Sequence, residues 1–270
     1  MCKTSLTINK IFKFCSGIRG HTMIIRKVNT KEKLDMPRRP RLSMESVPLH
    51  ILQRGIKRNA CFFRKEDYYF YLGLLREQSL KQHCAVHAYV LMPNHIHLLL
   101  TPHRKNSASL LMKYIGQFYT QYINKTYRRC GTLWEGRFRS CMLEDKDYVL
   151  LCSRYIELNP VRTGIVACPE DYYWSSYHAN GEGKNNLLLT KHESYWQLGT
   201  SLKECEENYR KKIAEQITPD VLKQIRFSIN GNYALGGQEF KDGLEKMLHC
   251  RVTPGKAGRP KKLKHNNSVV

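Results

Sequence analysis

Two histidines separated by one residue, His95 and His97, are the clearest candidates for chemistry in this sequence. They follow a Pro93-Asn94 turn and stand in an apolar run, a pattern that predicts a β-strand. Side chains alternate along a strand, so both imidazoles point to the same face. Two imidazoles held side by side can chelate one metal ion. An isolated pair of this kind also occurs as ordinary structural histidines, so its meaning depends on the rest of the chain.

A tyrosine and an asparagine, Tyr155 and Asn159, share one face of a predicted helix. Acidic residues around Asp147 open this helix at its positive end, and Asn159-Pro160 ends it because the residue before a proline is pushed out of helical geometry. The four-residue spacing puts Tyr155 and Asn159 together on the last turn. The chain contains 16 tyrosines, and on the helix pattern alone Tyr155 is better explained as a core residue.

The surrounding elements predict an α+β fold with a ferredoxin-like antiparallel sheet. The predicted order is strand, helix, two strands, helix, strand and a further helix, as in a split βαβ arrangement. Residues 47–54 and 84–91 are strands, residues 62–80 are a helix, and a long helix begins at Ser107. In this arrangement the helices pack on one face of the sheet. The other face is then open and presents the two histidines.

The short Met92-Pro93-Asn94 connection predicts that the two middle strands form an antiparallel hairpin. The register that follows places Tyr89 opposite His97 on the same face. Tyr89 is therefore the alternative nucleophile, although a strand neighbour beside a metal is poorly placed for in-line attack. His87 and Cys152 are interpreted as packing or structural groups.

The composition favours a nucleic-acid partner. Lysine and arginine number 45 against 23 aspartate and glutamate, which gives a net charge of +22 and a pI near 9.7, so a polyanion is the expected partner. No apolar run is long enough to span a bilayer, so we expect no membrane partner. The ten cysteines form no C-x-x-C pair, which argues against a zinc ribbon or a disulfide framework. No signal peptide is recognisable, and the expected location is cytoplasmic.

Arginines alternate with aromatic residues in one octamer, Leu133 to Ser140. Arg137 and Arg139 would follow a DNA backbone, while Trp134 and Phe138 would stack on unpaired bases. The alternative is a solvated strand with its aromatic residues in the core. The octamer alone does not favour either interpretation.

Several ordered blocks carry a resemblance to a known family. They are Arg54-Gly55 with Asn59, HAYVLMPNHIH at 87–97, LWEGRF at 133–138, RYIELNPVRTG at 154–164 and YWSSY at 173–177. Together they resemble the HUH-type single-tyrosine transposases, in the branch of the REP-associated tyrosine transposases. The resemblance covers about residues 42 to 180 and extends more loosely to the tail at 258–262.

The resemblance implies roles for individual residues. In that family the histidine pair binds a divalent metal, which makes His95 and His97 metal ligands. One helical tyrosine attacks a DNA phosphate, and here that residue is Tyr155. A polar residue one turn later helps to bind the metal, and here it is Asn159. The candidate DNA-binding residues are Arg54 and Asn59 from these blocks, Trp134, Arg137 and Arg139 from the arginine-aromatic octamer, and Arg259 from the basic tail.

Elementary chemistry agrees with these roles. A free tyrosine has a pKa of about 10, so it is a poor nucleophile at neutral pH and needs a base or a metal. A divalent ion on two imidazoles and an amide keeps open positions that can polarise a phosphate. Such ligands suit Mn²⁺ and accept Mg²⁺, and Zn²⁺ also binds them. The expected activity is cleavage and transfer of single-stranded DNA beside a hairpin, through a 5′-phosphotyrosine link that can be reversed to rejoin strands.

Four regions are expected along the chain. Residues 1–41 form a flexible basic N-terminal extension, residues 42–180 the transposase-like catalytic domain, and residues 181–250 a helical region that follows a Gly- and Asn-rich linker. The last region, 251–270, is a disordered basic tail. In it Gly258-Arg259-Pro260, flanked by lysines, resembles an AT-hook, which lays an arginine into a narrow minor groove. A helix-turn-helix can be drawn over two C-terminal helices, but a small helical cap is favoured.

Other functions stay open at this point. One is a non-catalytic DNA-binding or regulatory protein derived from such a transposase, which would use the basic surface and the tail. Another is a replication initiator or conjugative relaxase with the same chemistry, although the sequence around Tyr155 fits the transposase branch better. A homodimer that exchanges its tyrosine helix is a further possibility.

Overall fold

The computed structural model describes residues 41–144 and 147–255. At its centre is an antiparallel sheet in the order β2-β3-β1-β4. The strands are β1 (Leu49–Arg54), β2 (Cys84–Met92), β3 (His95–Pro102) and β4 (Arg139–Met142). The helices are α1 (Lys65–Lys81), α2 (Ser107–Thr126), α3 (Asp147–Glu157), α4 (Asn159–Arg162), α5 (Tyr177–Asn180), α6 (Glu193–Trp196), α7 (Leu202–Ala214), α8 (Pro219–Gly231) and α9 (Gln238–Leu248).

The first six elements form the predicted ferredoxin-like unit. Their order along the chain is β1-α1-β2-β3-α2-β4, and β1 lies between β3 and β4 in the sheet. This is the split βαβ arrangement, so the prediction of an α+β fold with an antiparallel sheet is confirmed. None of the helices described here is long and apolar enough to cross a membrane. Residues 1–40 of the predicted extension and the AT-hook-like segment lie outside the described residues.

The helices α1 and α2 cover one face of the sheet. In α2 the buried residues Leu111, Ile115, Tyr119 and Ile123 recur every fourth position, which is the apolar stripe of a helix that packs on a core. They join one buried cluster with the strand residues that point to this side, among them Leu49, Ile51, Leu98 and Leu100. The alternation of each strand sends the other set of side chains to the opposite face.

The prediction that the histidine face is open is wrong, because α3 and α8 pack on it. Both helices contact the sheet, α3 at β2 and β3, and α8 at β4 and β1. Their apolar residues, among them Cys152, Ile156 and Ile229, share a buried cluster with Leu52 and Leu99 of the sheet. An amphipathic helix must bury its apolar stripe against another element, and the uncovered sheet face supplies that element.

The predicted register of the β2-β3 hairpin is also wrong. Met92 still belongs to β2 and pairs with His95, so the turn has two residues and His97 stands opposite Val90. A shift of one residue moves every side chain of a strand to the other face. Tyr89 therefore joins the cluster under α1 and α2 instead of the histidine face. This removes Tyr89 as a candidate nucleophile.

The Gly- and Asn-rich segment after residue 181 packs along the outer edge of β2. Leu189 forms a parallel bridge with Val86, and the Thr190 amide donates to the Val86 carbonyl at 2.8 Å. Asn186 donates to the phenol oxygen of Tyr89 at 3.2 Å. The segment thus covers a strand edge that would otherwise leave backbone groups unpaired. The division of the chain at residues 42, 181 and 251 stays a prediction.

A buried carboxylate joins the end of α3 to the C-terminal helices. Glu157 is fully buried, and its carboxylate accepts hydrogen bonds from the Ser176 hydroxyl, from Asn180 Nδ2 at 2.8 Å and from Tyr209 Oη at 2.7 Å. Burial raises the pKa of Glu157, and these hydrogen bonds and the charge of Lys191 oppose that shift. The network fixes the last turn of α3, two residues beyond Tyr155.

We expect Glu157→Leu to lower the free energy of unfolding by about 3 kcal/mol, since it removes the carboxylate acceptor of the buried Tyr209 hydroxyl and leaves the Ser176 hydroxyl and the Asn180 amide with only their backbone acceptors. Urea unfolding followed by circular dichroism measures this change. Glu77→Ala is the control, because Glu77 pairs with Lys81 at the exposed surface and such pairs contribute about 1 kcal/mol or less. Equal effects of the two substitutions would contradict a structural role for the network.

Candidate active site

Three imidazoles meet on the sheet face that α3 covers. His95 and His97 lie on β3 with ring centroids 5.2 Å apart. His50, on the adjacent strand β1, has its ring centroid 5.0 Å from that of His97. His50 Nε2 and His97 Nδ1 are 2.8 Å apart, so one of these nitrogens donates a hydrogen bond to the other. The structure keeps the predicted pair together and adds a third histidine to it.

Tyr155 packs directly against this cluster. The ring centroid of Tyr155 lies 5.7 Å from that of His97 and 5.7 Å from that of His50. The side chain is almost completely buried. The apolar residues that precede it on α3 anchor the helix in the core, and this anchoring determines which residue faces the histidines. The structure thus brings the predicted tyrosine and histidines together within one chain.

A hydrogen bond donated by Nδ1 leaves Nε2 of a histidine available as a ligand atom. The amide oxygen of Asn94 lies 2.6 Å from His95 Nδ1; an amide oxygen only accepts, so Nδ1 carries the proton and Nε2 keeps its lone pair. If His97 Nδ1 likewise donates to His50 Nε2, the lone pair of His97 is also on Nε2. His50 Nδ1 then carries a proton, and this buried nitrogen has no hydrogen-bond partner among the described residues.

The three imidazoles are neutral at pH 7. Burial, with a smaller effect of the Arg162 charge, lowers the pKa of His50 to about 3. Burial and the charges of Arg54 and Arg162 lower the pKa of His95 to about 4. The pKa of His97 falls well below its usual value, first through burial and then through the neighbouring histidines and arginines. Neutral imidazole is the form that binds a metal.

Arginines surround the site with few acidic partners. Arg54 stands opposite His95 in the β1-β3 register. Burial and the nearby charges of Arg139 and Arg58 lower the pKa of Arg54, and only Glu135 and Tyr155 oppose them. A cleft of about 590 Å³ opens beside His95, and Arg54 and Arg58 line it. Cations held against one another in this way favour an anion such as phosphate in the cleft.

Arg162, which the sequence reasoning did not select, holds Tyr155 from the other side. Its guanidinium carbon lies 4.1 Å from the centroid of the Tyr155 ring, and Arg162 Nη1 donates to the Tyr155 carbonyl at 2.7 Å. The residue belongs to α4, directly after Asn159-Pro160. Its position within the RYIELNPVRTG block was the available signal, since it lies seven residues, about two helical turns, beyond the tyrosine.

Asn159 is buried at the start of α4. Its carbonyl accepts a hydrogen bond from the Thr163 hydroxyl, but its side chain makes no hydrogen bond to the histidines. Across residues 41–144 and 147–255, no group of three or more His, Cys, Asp or Glu side chains could hold a metal. The donor set that fits a divalent ion is thus the two neutral imidazoles, and Asn159 as third ligand stays a proposal.

The structure separates the predicted DNA-binding residues. Arg54 lines the cleft, and Arg137 and Asn59 are exposed. Arg139 begins β4 and donates to the Asn230 side chain. Trp134 is buried against Tyr119, so its ring is not free to stack on a base. The aromatic residues of the octamer lie in the core, as the alternative interpretation held, and Arg259 lies outside the described residues.

Gly55 is required where β1 turns away from the site. A Cβ at this position would lie 2.2 Å from the carbonyl oxygen of Asn59. The Gly55 amide also donates to the Asn94 carbonyl at 2.9 Å. This close approach holds the loop after Arg54 against the turn before His95.

We expect Gly55→Ala to lower the free energy of unfolding by about 1–3 kcal/mol, because the added methyl group must displace backbone. DNA binding should weaken as well, since Arg54 moves with the loop. Gly116→Ala is the control. Gly116 lies within α2, and a Cβ there would make only ordinary contacts of 3.7 Å or more with side chains of other elements. Thermal unfolding of both variants tests this prediction, and a Gly55→Ala chain as stable as the control would contradict it.

Comparison with known proteins agrees with the geometry of the site. Residues 43–159, which contain the three histidines, Tyr155 and Asn159, match the family model described as IS200-like transposase. This segment is 117 of the 270 residues, and over it the chain is similar to the IS200-like transposases. Among named relatives the similarity is to a REP-associated tyrosine transposase, and the comparisons thereby confirm the resemblance seen in the sequence.

The individual relatives cover parts of the chain. A REP-associated tyrosine transposase of Haemophilus influenzae is 28% identical over an alignment of 102 residues, which covers 34% of this chain and 57% of that protein. The chain thus spans a little over half the length of this relative. A REP-associated tyrosine transposase solved with a REP hairpin matches 58% of this chain and 93% of its own, at 18% identity and a TM-score of 0.48. The structure of a Deinococcus radiodurans protein described as a transposase matches 44% of this chain and 95% of its own, at 18% identity and a TM-score of 0.32.

Proposed function

We propose that this chain cleaves and transfers single-stranded DNA with Tyr155 as the nucleophile. The observation that carries the proposal is the packing of the Tyr155 ring 5.7 Å from the His97 ring, beside a cleft lined by arginines. A tyrosine, an imidazole cluster and a phosphate-binding cleft are the parts that a phosphoryl transfer to protein requires.

In the proposed step the Tyr155 oxygen forms a bond to phosphorus while the bond between phosphorus and the 3′ oxygen breaks. The phenol loses its proton and the departing 3′ oxygen gains one. The products are a 5′-phosphotyrosine and a free 3′-hydroxyl. The reverse step joins a 3′-hydroxyl to the retained phosphate, which gives strand transfer.

His95 and His97 would hold a divalent ion, Mg²⁺ or Mn²⁺, through Nε2, and Asn159 is the proposed third ligand. When bound, the ion would polarise the scissile phosphate and stabilise the charge that develops on it. Asn94 and His50 orient the two imidazoles through their Nδ1 atoms, as outer hydrogen-bond partners of metal-binding histidines do.

The arginines position the reacting groups. Arg162 lies over the Tyr155 ring, where its charge favours the negative charge that forms on the phenol oxygen. Arg54 and Arg58 line the cleft beside His95 and would hold the phosphates that flank the cleaved bond. The similarity to REP-associated relatives favours single-stranded DNA with a hairpin as the substrate.

The test is covalent adduct formation. The full chain is incubated with Mn²⁺ and labelled single-stranded oligonucleotides that carry a hairpin with unpaired flanks, then denatured and separated on a gel. We expect labelled DNA to migrate with the protein. Tight, salt-sensitive binding without an adduct in Mn²⁺ or Mg²⁺ would contradict the proposal and favour a non-catalytic DNA-binding protein.

A further inference from the structure

A second cavity, of about 590 Å³, lies at the outer edge of β2. Three parts of the chain form it, namely α1, residues 173–179 and residues 184–188. Tyr89 lines it and belongs to the sheet face opposite His97, so the cavity is distinct from the active site. Its volume is in the range of cavities that bind small molecules or parts of larger ligands.

One residue that lines this cavity is a glycine that neither the backbone conformation nor the packing requires. Gly73 stands in the middle of α1, where glycine is the least favourable residue after proline. Its φ is not in the left-handed region, so the backbone does not require glycine. A Cβ at Gly73 would meet no protein atom within 4 Å, so packing does not require glycine either. What the missing side chain preserves is the open space of the cavity, as expected where a ligand approaches a backbone closely.

The side chains on the walls and rim of the cavity are suited to bind a nucleotide. Tyr69 and Tyr173 are 51% and 62% exposed, and both rings pack edge-on against Trp174. Exposed aromatic rings held in place by neighbours are platforms on which bases stack. Arg76, exposed on α1, makes no ion pair within the described residues, and Lys184 shares its charge with Glu182 at 2.9 Å.

We infer that this cavity binds one unstacked base of single-stranded DNA. The base stacks on the tyrosine rings above Gly73, and its phosphate lies near Arg76 and Lys184. The inference rests on the proposed function in one respect, namely that the ligand is DNA. It also supplies the aromatic contact that the sequence assigned to Trp134, which is buried.

The experiment tests a variant, Gly73→Leu, whose side chain would occupy the cavity. Fluorescence anisotropy measures binding of the full-length chain to labelled dA12 and dT12 in EDTA, so that no cleavage is needed. We expect Gly73→Leu and Tyr173→Ala each to weaken binding about tenfold, the order of magnitude of one lost stacked base. Gly243→Leu is the matched control, because Gly243 is also a helical glycine whose Cβ would meet open space, and its affinity should equal that of the parent chain.

Salt dependence separates base binding from general attraction. Gly73→Leu should leave the slope of log K against log salt unchanged, whereas Arg76→Ala should reduce it by about 0.7, the value for one phosphate contact on a single strand. Thermal unfolding checks the fold, and Gly73→Ala should raise the midpoint by about 2 °C through helix propensity alone.

Two results would overturn the inference. One is an equal loss of affinity in Gly243→Leu. The other is an unchanged affinity of Gly73→Leu, which, together with a lower unfolding midpoint, would mean that the cavity holds part of this chain. Failure of the proposed function is a separate outcome. If adducts never form but Gly73→Leu weakens binding, the base-binding inference holds and the proposed catalysis is wrong. If adducts form but Gly73→Leu binds DNA like the parent chain, the proposed catalysis holds and the base-binding inference is wrong.

Discussion

Tyr155→Phe is expected to abolish covalent attachment of DNA while leaving the fold and DNA binding intact. The substitution removes one oxygen atom, the proposed nucleophile, and keeps the ring that packs against His50 and His97. Loss of a nucleophile lowers turnover by orders of magnitude, and we expect at least about a thousandfold loss of adduct. The unfolding free energy should change by no more than about 1 kcal/mol.

The control for this prediction is Tyr148→Phe on the same helix. Tyr148 lies two turns before Tyr155 and makes no ring contact with the histidines. Adduct yield, thermal midpoint and DNA affinity are measured for both variants and the parent chain. An adduct from Tyr155→Phe at the parent level would show that another residue attacks the phosphate.

His50→Leu is expected to weaken Mn²⁺ binding about 10- to 100-fold, with a similar loss of cleavage. His50 is fully buried and orients His97 through the 2.8 Å contact between Nε2 and Nδ1. Without it the His97 ring can turn, because its Nδ1 atom loses its hydrogen-bond partner. Removal of such an outer partner of a metal-binding histidine has effects of this size.

Rescue by a polar residue distinguishes orientation from packing. His50→Gln replaces the ring nitrogen by an amide oxygen that can accept from His97 Nδ1, so its Mn²⁺ affinity should return toward the parent value. Electron paramagnetic resonance of free Mn²⁺ measures the affinity without any DNA. If leucine and glutamine weaken Mn²⁺ binding equally, or if neither does, His50 does not orient His97.

The ferredoxin-like core and the position of the histidine pair on one strand face could be predicted because their signals are local. The alternation of the strands, the apolar stripe of α2 and the His95-Ile96-His97 spacing each depend on a few neighbouring residues. The pairing of Tyr155 with the histidines came from the family resemblance. The helix pattern alone favours a core tyrosine, and the structure shows that Tyr155 is also buried.

The features that the sequence did not yield depend on non-local pairing. His50 reaches His97 only through the β1-β3 register, which joins positions 47 residues apart. The turn of the β2-β3 hairpin is one residue shorter than predicted, and this places the side chains of β2, including Tyr89, on the opposite faces of the sheet from those predicted. The cover of the histidine face by α8 depends on a segment that lies outside the family match.

The most direct test of the central claim is to identify the amino acid that carries the DNA. The adduct formed with Mn²⁺ and hairpin-bearing single-stranded DNA is digested with protease and nuclease, and the nucleotide-linked peptide is sequenced by mass spectrometry. The site described above predicts one modified peptide, with Tyr155 joined to the 5′ phosphate of the DNA. A link to another residue, a link to a 3′ phosphate, or the absence of any linked peptide would contradict it.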